Sequence, residues 1–275
     1  MTVPAQDAST LILLRAGAGG DMEVLMVLRS SRSSFVPGSY VFPGGRVDDE
    51  DREDHMTRLV SAVDREELNR VIEGPKDDAR ARGIWIAALR ETFEEAGLML
   101  ASPRGGTGLV AFDTPEIRER FRVYRDDLRH DRTTLREILD KEDLTLALDR
   151  LCFFSHWITP EFYPIRYDTR FFVTVLPPGQ EARHDGDEVT HHLWIRPRSA
   201  LEGYLSGRMH MVVPTIVMLE ELCGFESVDH AVASARNKTV SPMLTRVVLE
   251  GDEIQEHAPD GRVFRNLANP RGGAS

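Results

Sequence analysis

Cysteine is scarce in this chain. There are two, Cys152 and Cys223, and both sit in apolar surroundings. That pair offers neither a disulfide framework nor a cysteine-based zinc site, so the expectation is buried, reduced thiols in a cytoplasmic protein. Long hydrophobic runs are missing as well. No stretch approaches the ~18 apolar residues of a membrane span. The segment Met1-Thr2-Val3-Pro4-Ala5-Gln6-Asp7 lacks a basic region followed by an apolar stretch, so no secretory signal is expected. Positive charge is in deficit: 34 Lys and Arg against 45 Asp and Glu leave a formal net charge of −11. Nonspecific binding to nucleic acid or to an anionic membrane needs basic surface, so neither is expected as a partner. No internal repeat is visible.

What is present is the composition of a soluble globular protein, 41% hydrophobic and 29% charged. A chain of 275 residues can bury a substantial core, and it reads as one elaborated domain over 1–275. The segments Ser9 to Leu14 and Glu23 to Arg29 read as strands, with a Gly-rich turn, Gly17 to Asp21, joining them as a hairpin. Tyr40 to Phe42 is a short strand running into Gly44-Gly45. Further strands are expected at Phe153 to Thr159, Thr169 to Leu176, Glu188 to Ile195 and Val240 to Glu250. Helices are expected from Pro214 to about Cys223 and from Ser227 to Arg236. Strands before, between and after amphipathic helices predict a mixed sheet packed between helices. Two stretches look inserted: a highly charged one at about 52–78, expected to lie outside the main core, and a polar helical one at about 103–150. The second is either an ornamental helical pair or a lid or dimer surface. The polar stretch 259–275 is read as a tail without fixed structure.

The most informative run is Arg90-Glu91-Thr92-Phe93-Glu94-Glu95-Ala96-Gly97-Leu98. At about 100° per residue, Glu94 and Glu95 fall near 300° and 40° from Glu91. The apolar residues Trp85, Ile86, Leu89, Phe93 and Ala96 gather between about 120° and 220°. One face of this helix therefore enters a core while the other presents three carboxylates. Asp77 or Asp78 can cap its start, and Gly97 suits its stop. A glutamate-rich helix face is ordinarily a solvated surface. Here the crowded carboxylates repel one another, and a hard divalent cation with oxygen ligands, Mg²⁺ or Mn²⁺, would remove that penalty. Arg90 stands beside the cluster and could hold one carboxylate. A Gly-Gly turn lets a backbone carbonyl approach a metal with no Cβ in the way.

Phe42-Pro43-Gly44-Gly45 followed by R-E-x-x-E-E-x-G-hydrophobic resembles the Nudix hydrolase signature. The usual box has a Glu shortly after the glycines and then seven residues before the Arg-Glu pair. Here Glu50 and Asp51 stand six positions after Gly44 and Gly45, far from Arg90, with the charged segment between. A box split in this way is similar to the branch of peroxisomal coenzyme A diphosphatases and their bacterial relatives. The segments Trp157-Ile158-Thr159-Pro160 and Arg166-Tyr167-Asp168-Thr169-Arg170-Phe171-Phe172 also resemble that branch, as do Glu188, Trp194-Ile195 and Pro214-Thr215.

The resemblance implies an α/β/α sandwich with helical insertions, acting as a metal-dependent diphosphatase. The first-choice substrate is coenzyme A or an acyl-CoA, cut to 3′,5′-ADP and a phosphopantetheine. The second is ADP-ribose, NADH or a nucleotide sugar, and a non-catalytic sensing module of the same fold is the rival from another class. The match implies Glu91, Glu94 and Glu95 as metal ligands, the Gly45 carbonyl completing the site, and Arg90 orienting Glu91. The base is Glu91 or Glu188, the latter in the acidic turn Asp185-Gly186-Asp187-Glu188. At most one of His191 and His192 should face the site, since neighbours on a strand point opposite ways. Arg29, Arg32 and Arg46 flank the Gly-Gly turn and can draw an anionic small-molecule substrate to an acidic protein. Arg166, Tyr167, Asp168 and Arg170 either read the substrate or form a surface salt-bridge cluster. Trp157 and Phe35 either stack on a base or sit in the core. A homodimer is admitted.

Overall fold

Strands β1 (Gln6–Ala16) and β2 (Met22–Arg29) form the expected hairpin, each longer than the sequence pattern suggests. Their turn closes through the Gly17 N–H on the Asp21 carbonyl at 2.8 Å. The computed structural model describes residues 3–33, 35–250 and 253–265. The hairpin strands pair only near their turn, from Leu14↔Val24 to Ala16↔Met22. Beyond that they part, and β3 (Tyr40–Val41) and β4 (Gly44–Arg46) fill the gap. β3 pairs with β2 at Val27↔Val41, and β4 pairs with β1 at Thr10↔Gly44 and Ser9↔Gly45. The Gly-Gly turn is thereby wedged into the middle of the sheet.

The chain then enters α1 (Asp49–Arg52), a 3-10 turn at Asp54–Leu59 and α2 (Arg65–Asn69) before the long helix α3 (Asp78–Ala96). A small two-stranded sheet, β5 (Ala101–Pro103) with β6 (Leu144–Leu146), brackets helices α4 (Pro115–Arg129) and α5 (Leu135–Lys141). The main sheet resumes with β7 (Cys152–Ile158), β8 (Tyr167–Val175) and β9 (Val189–Ile195). Helices α6 (Pro197–Leu205), α7 (Val213–Leu222) and α8 (Val228–Arg236) follow. The last strands are β10 (Pro242–Leu244), β11 (Arg246–Glu250), β12 (Glu253–His257) and β13 (Val263–Phe264).

The main sheet runs β10-β7-β8-β1-β2-β3, with β4 on β1 and β9 on β2. Pairs β1–β8 and β10–β7 are parallel and the others antiparallel, so the sheet is mixed as expected. Strand β1 is apolar at successive positions because both of its faces are covered. Leu11 and Leu13 join one core with Leu25, Phe153 and Phe172 under α3, α4 and α5. Ile12 and Leu14 join the other with Val24, Met26 and Val173 under α6, α7 and α8. This is the mixed sheet between helices that the sequence pattern predicts, and the α/β/α sandwich that the resemblance implies.

Several expectations need correction. The charged segment 52–78 does not lie outside the core: Met56, Leu59 and Val71 are buried in the cluster under α3, and the Trp85 indole donates to the Leu68 carbonyl at 3.1 Å. Few apolar residues are there, but their spacing puts them on one side. The stretch 103–150, read as two or three helices too polar for the core, supplies two α-helices, yet Phe121, Tyr124, Leu135, Ile138 and Leu139 belong to the same main core. Helix α6 was not expected, because it is short and starts directly after a strand. The strand expected over Val240 to Glu250 breaks at Thr245, whose buried hydroxyl donates to Glu256 at 2.8 Å. Of the stretch 259–275, Val263–Phe264 is strand β13, and 266–275 lie outside the described residues. Both cysteines are free, Cys152 buried and Cys223 partly so. Among the described residues no helix is long and apolar enough to cross a membrane.

Candidate active site

Helix α3 begins on Asp77, whose carboxylate accepts the Arg80 N–H at 3.0 Å, and ends on Gly97 at φ 71°. A left-handed residue stops the helix one position after Ala96, which leaves its last turn beside the Gly-Gly turn. Glu95 is 3% exposed and accepts the Gly44 N–H at 3.0 Å; the Arg29 guanidinium reaches it at 3.7 Å. The glycines are required by close approach. A Cβ on Gly45 would lie 2.3 Å from a Glu91 carboxylate oxygen, and one on Gly44 would lie 2.4 Å from the Ser9 carbonyl.

Arg90 is buried and makes the hub. It donates through Nη1 to Glu91 at 3.1 Å and to Glu94 at 3.0 Å. Through Nη2 it holds the Arg46 carbonyl at 2.8 Å. It also forms a two-point pair with Asp51, Nε to Oδ1 at 3.0 Å and Nη2 to Oδ2 at 2.9 Å. Asp51 sits on α1, itself fixed because Asp51 accepts the Asp48 N–H at 2.9 Å. The two distant pieces of the sequence motif are therefore in contact, with an aspartate where the usual pattern has a glutamate. The sequence offers both residues but not their pairing; the short capping run Asp48-Asp49-Glu50-Asp51 after the glycines was the available signal.

The electrostatics are those of desolvated negative charge. Burial pushes Glu95 up to about 8, and repulsion from Glu91 adds to it while Arg29 opposes. Burial pushes Glu91 up to about 7 against the pull of Arg90. Glu94 is raised by burial too. Arg90 pays a burial penalty in the opposite sense, yet Glu91 and Asp51 hold its guanidinium well above the usual range. Among the described residues, no three His, Cys, Asp or Glu side chains already converge on a metal position; Arg90 bridges Glu91 and Glu94 instead. The donor set nonetheless suits a hard divalent ion. Buried carboxylates that resist ionisation, facing a carbonyl-bearing glycine with no Cβ, gain from such a charge.

Glu188 lies at the side of this cluster. It is exposed, its carbonyl accepts the Ser30 N–H at 2.8 Å, and its charge contributes to raising Glu95. Helix α4 supplies a residue the sequence did not single out: Arg125, which donates from Nε to the Glu94 carbonyl at 2.8 Å. Burial lowers its guanidinium to about 10. No local signal distinguishes a buried arginine in so polar a helix.

The remaining candidates separate clearly. Strand alternation puts His192 on the α3 face with Trp194, and burial lowers its basicity; His191 is exposed. Arg32 and Arg46 are exposed near the turn, while Arg29 touches Glu95. Arg166 is spent on the carbonyls of Thr159 and Val3. Asp168 and Arg170 are no surface cluster. Arg170 is fully buried, pairs with Asp168 at 2.8 Å and Asp7 at 3.1 Å, and donates to the Val71 carbonyl at 2.9 Å. Asp7 in turn takes Arg80 at 2.7 Å and Arg52 at 3.2 Å, which anchors α1. Trp157 is core, and Phe35 packs edge-on against Tyr167 at 4.8 Å.

Residues 80–222 match the family described as the NUDT19 Nudix domain. That match begins ten residues before Arg90, so Gly44, Gly45 and Asp51 stand upstream of it. The chain is 29% identical to the acyl-coenzyme A diphosphatase NUDT19 of Gallus gallus, over 90% of this chain and 79% of that one. It is 25% identical to the protein of the same name from Xenopus laevis, over 87% and 73%. Among solved structures, a NUDIX hydrolase from Alicyclobacillus acidocaldarius superposes with a TM-score of 0.69 at 30% identity, covering 85% of this chain and 97% of that one.

Proposed function

Because the chain belongs to the NUDT19 Nudix domain family, we propose that it is a diphosphatase that cleaves coenzyme A or an acyl-CoA into 3′,5′-ADP and the corresponding phosphopantetheine. The observation that carries the catalytic part is the pair of part-buried Glu91 and buried Glu95, packed against Gly44-Gly45 and both resisting ionisation. A sensing module would have no use for so costly an arrangement, since desolvated carboxylates crowded together destabilise a fold even when partly paired. The substrate class is supported by likeness to acyl-coenzyme A diphosphatases along most of the chain.

Glu91, Glu94 and Glu95, with the Gly45 carbonyl, would hold Mg²⁺ or Mn²⁺. A divalent ion there supplies neutralisation of phosphate charge and a lower pKa for bound water. Arg90 keeps Glu91 and Glu94 in place from one guanidinium, and Asp51 keeps Arg90 in place. A water oxygen attacks one phosphorus of the diphosphate, the bridging P–O bond breaks, and the bridging oxygen leaves with its electron pair. Glu188 takes the proton of that water, as the exposed carboxylate at the side of the cluster; Glu91 is the rival for this role. Arg29, Arg32 and Arg46 give the turn a local positive rim in a chain of net charge −11. That rim favours entry of an anionic small molecule over nucleic acid, whose binding needs an extended basic surface. Two free cysteines and this composition fit a cytoplasmic protein working as one domain over 1–275.

The test is a panel of CoA, acyl-CoA, ADP-ribose, NADH and nucleotide sugars, each with Mg²⁺ and with Mn²⁺, with products identified by mass. Release of 3′,5′-ADP from CoA substrates at the highest kcat/KM is the expected outcome. Turnover of ADP-ribose or NADH with CoA untouched would overturn the substrate, and no turnover of any would overturn the enzyme.

A further inference from the structure

Helix α4 touches both halves of the site. Near its end, Arg125 donates to the Glu94 carbonyl at 2.8 Å, in the last turn of the catalytic helix. One turn on, Arg129 reaches Asp185 at 3.2 Å and Asp187 at 3.1 Å. Asp185 is the organiser of the turn that bears Glu188. Its side chain is 1% exposed, and it accepts the N–H groups of Asp187 at 2.6 Å, Glu188 at 2.9 Å and Val189 at 3.3 Å. Gly186, at φ +93°, allows the tight reversal, and its N–H closes on the Val189 carbonyl at 2.9 Å. The far side of the turn is fastened to β2, where Ser30 donates to the Glu188 carbonyl at 2.8 Å, next to the Arg29 that reaches Glu95.

We propose that Arg129 and Asp185 are positioning residues for Glu188, and that α4, in the polar 103–150 segment, fixes the distance between Glu188 and the helix carboxylates. Glu188 itself is exposed, and among the described residues none forms a hydrogen bond or ion pair with its side chain. Its placement comes from its backbone, and its backbone is held by one buried carboxylate. That carboxylate is neutralised from the same helix that grips the end of α3. A general base works only within hydrogen-bond reach of its proton, and a misplacement of about 1 Å can cost on the order of 10² in rate. A clamp spanning both elements therefore acts on kcat more than on substrate affinity. The inference rests on the reading of Glu188 as the base.

The experiment compares wild type, Arg129→Gln, Arg129→Lys, Asp185→Asn, Glu188→Gln and the Arg129→Gln/Glu188→Gln double variant. Each is measured for kcat, KM, Mn²⁺ affinity and thermal midpoint on the best diphosphate substrate of the panel. Arg129→Gln is expected to lower kcat about tenfold or more, with KM and Mn²⁺ affinity within about threefold. Arg129→Lys should recover most of that loss. In the Glu188→Gln background the Arg129 change should cost nothing further, since the group it positions is gone. Should Asp185→Asn not fold, the part-exposed Arg129 variants still decide the matter. An impaired Glu188→Gln beside a silent Arg129→Gln overturns the clamp alone. The same fold loss from Arg129→Gln in both backgrounds also overturns it, because Arg129 then acts elsewhere. A silent Glu188→Gln overturns the base and the clamp together.

Discussion

Asp51 and Arg90, 39 positions apart in the chain, form a two-point ion pair in which the carboxylate is 3% exposed and the guanidinium 9%. The pair links two short pieces of backbone that must meet for the site to exist: α1, directly after the Gly-Gly turn, and the last two turns of α3. Arg90 spends its remaining nitrogen on Glu91 and Glu94. The geometry of two carboxylates is thus set by one guanidinium, and that guanidinium is set by Asp51.

Asp51→Asn should therefore lower activity without touching any group that meets substrate. The amide keeps one acceptor but turns a donor towards Arg90. Loss of one partner of a charge-assisted bond typically costs about 1–3 kcal/mol. A fall in kcat of about tenfold or more, with a lower thermal midpoint and a partial recovery in Asp51→Glu, is the expected pattern. An Asp51→Asn enzyme as active as wild type would detach this pair from the mechanism.

Glu95→Gln should preserve the fold and lose on the order of 10² or more in turnover, because charge stabilisation carries most of such a reaction. Its melting in chelator should match or exceed that of wild type, since a neutral amide replaces a carboxylate that burial disfavours. Full activity in this variant, or in wild type with chelator, counts against the site.

The metal-free protein should become less stable as pH rises. Glu91 and Glu95 keep their protons to about 7 and about 8 when folded, whereas an unfolded chain releases them near 4.3. Across that window the folded state binds more protons than the unfolded one, so stability falls as pH rises through the folded values. Asp7 and Asp168, lowered by their arginine and histidine partners against the cost of burial, act in the opposite sense, but only below about pH 4. Thermal midpoints in chelator from about pH 5 to 8 should slope downward in wild type and less so in Glu95→Gln. Mn²⁺ affinity should rise over the same range, because ligands bind deprotonated. Parallel melting curves for the two proteins would contradict these assignments.

Replacing 52–78 by a short Gly/Ser linker is expected to give a protein that does not fold. Leu59 is fully buried, and Leu59→Ala alone should cost about 2–5 kcal/mol by denaturant titration. A soluble, active deletion variant would show that Met56, Leu59 and Val71 are dispensable packing.

Local pattern revealed what was locally encoded. The cap at Asp77, the stop at Gly97, the buried face of α3 and the hairpin β1–β2 all follow from spacing and turn chemistry within a few residues. The burial of Met56, Leu59 and Val71 was hidden because the surrounding charge dominates the segment's composition. The Asp51–Arg90 pair and the Arg129–Asp185 contact join separate elements, and nothing in either neighbourhood names the other. Glu188, whose charge is felt at Glu95, was singled out only through resemblance, since an acidic turn by itself is ordinarily a solvated surface.

The parallel pairing of β1 with β8 has a kinetic consequence. Its partners, from Gln6↔Tyr167 to Leu14↔Val175, lie on opposite sides of nearly every catalytic candidate in the chain. Helix α3 can form from its own local signals, but closing so large a loop is slow compared with helix formation. Newly made α3 therefore carries its glutamates as ordinary solvated acids. They acquire raised pKa values only when the sheet closes and Gly44 docks on Glu95. Metal-binding strength at these residues then reports late folding, so a nascent chain that stops before β8 has the complete helix motif and still lacks the site.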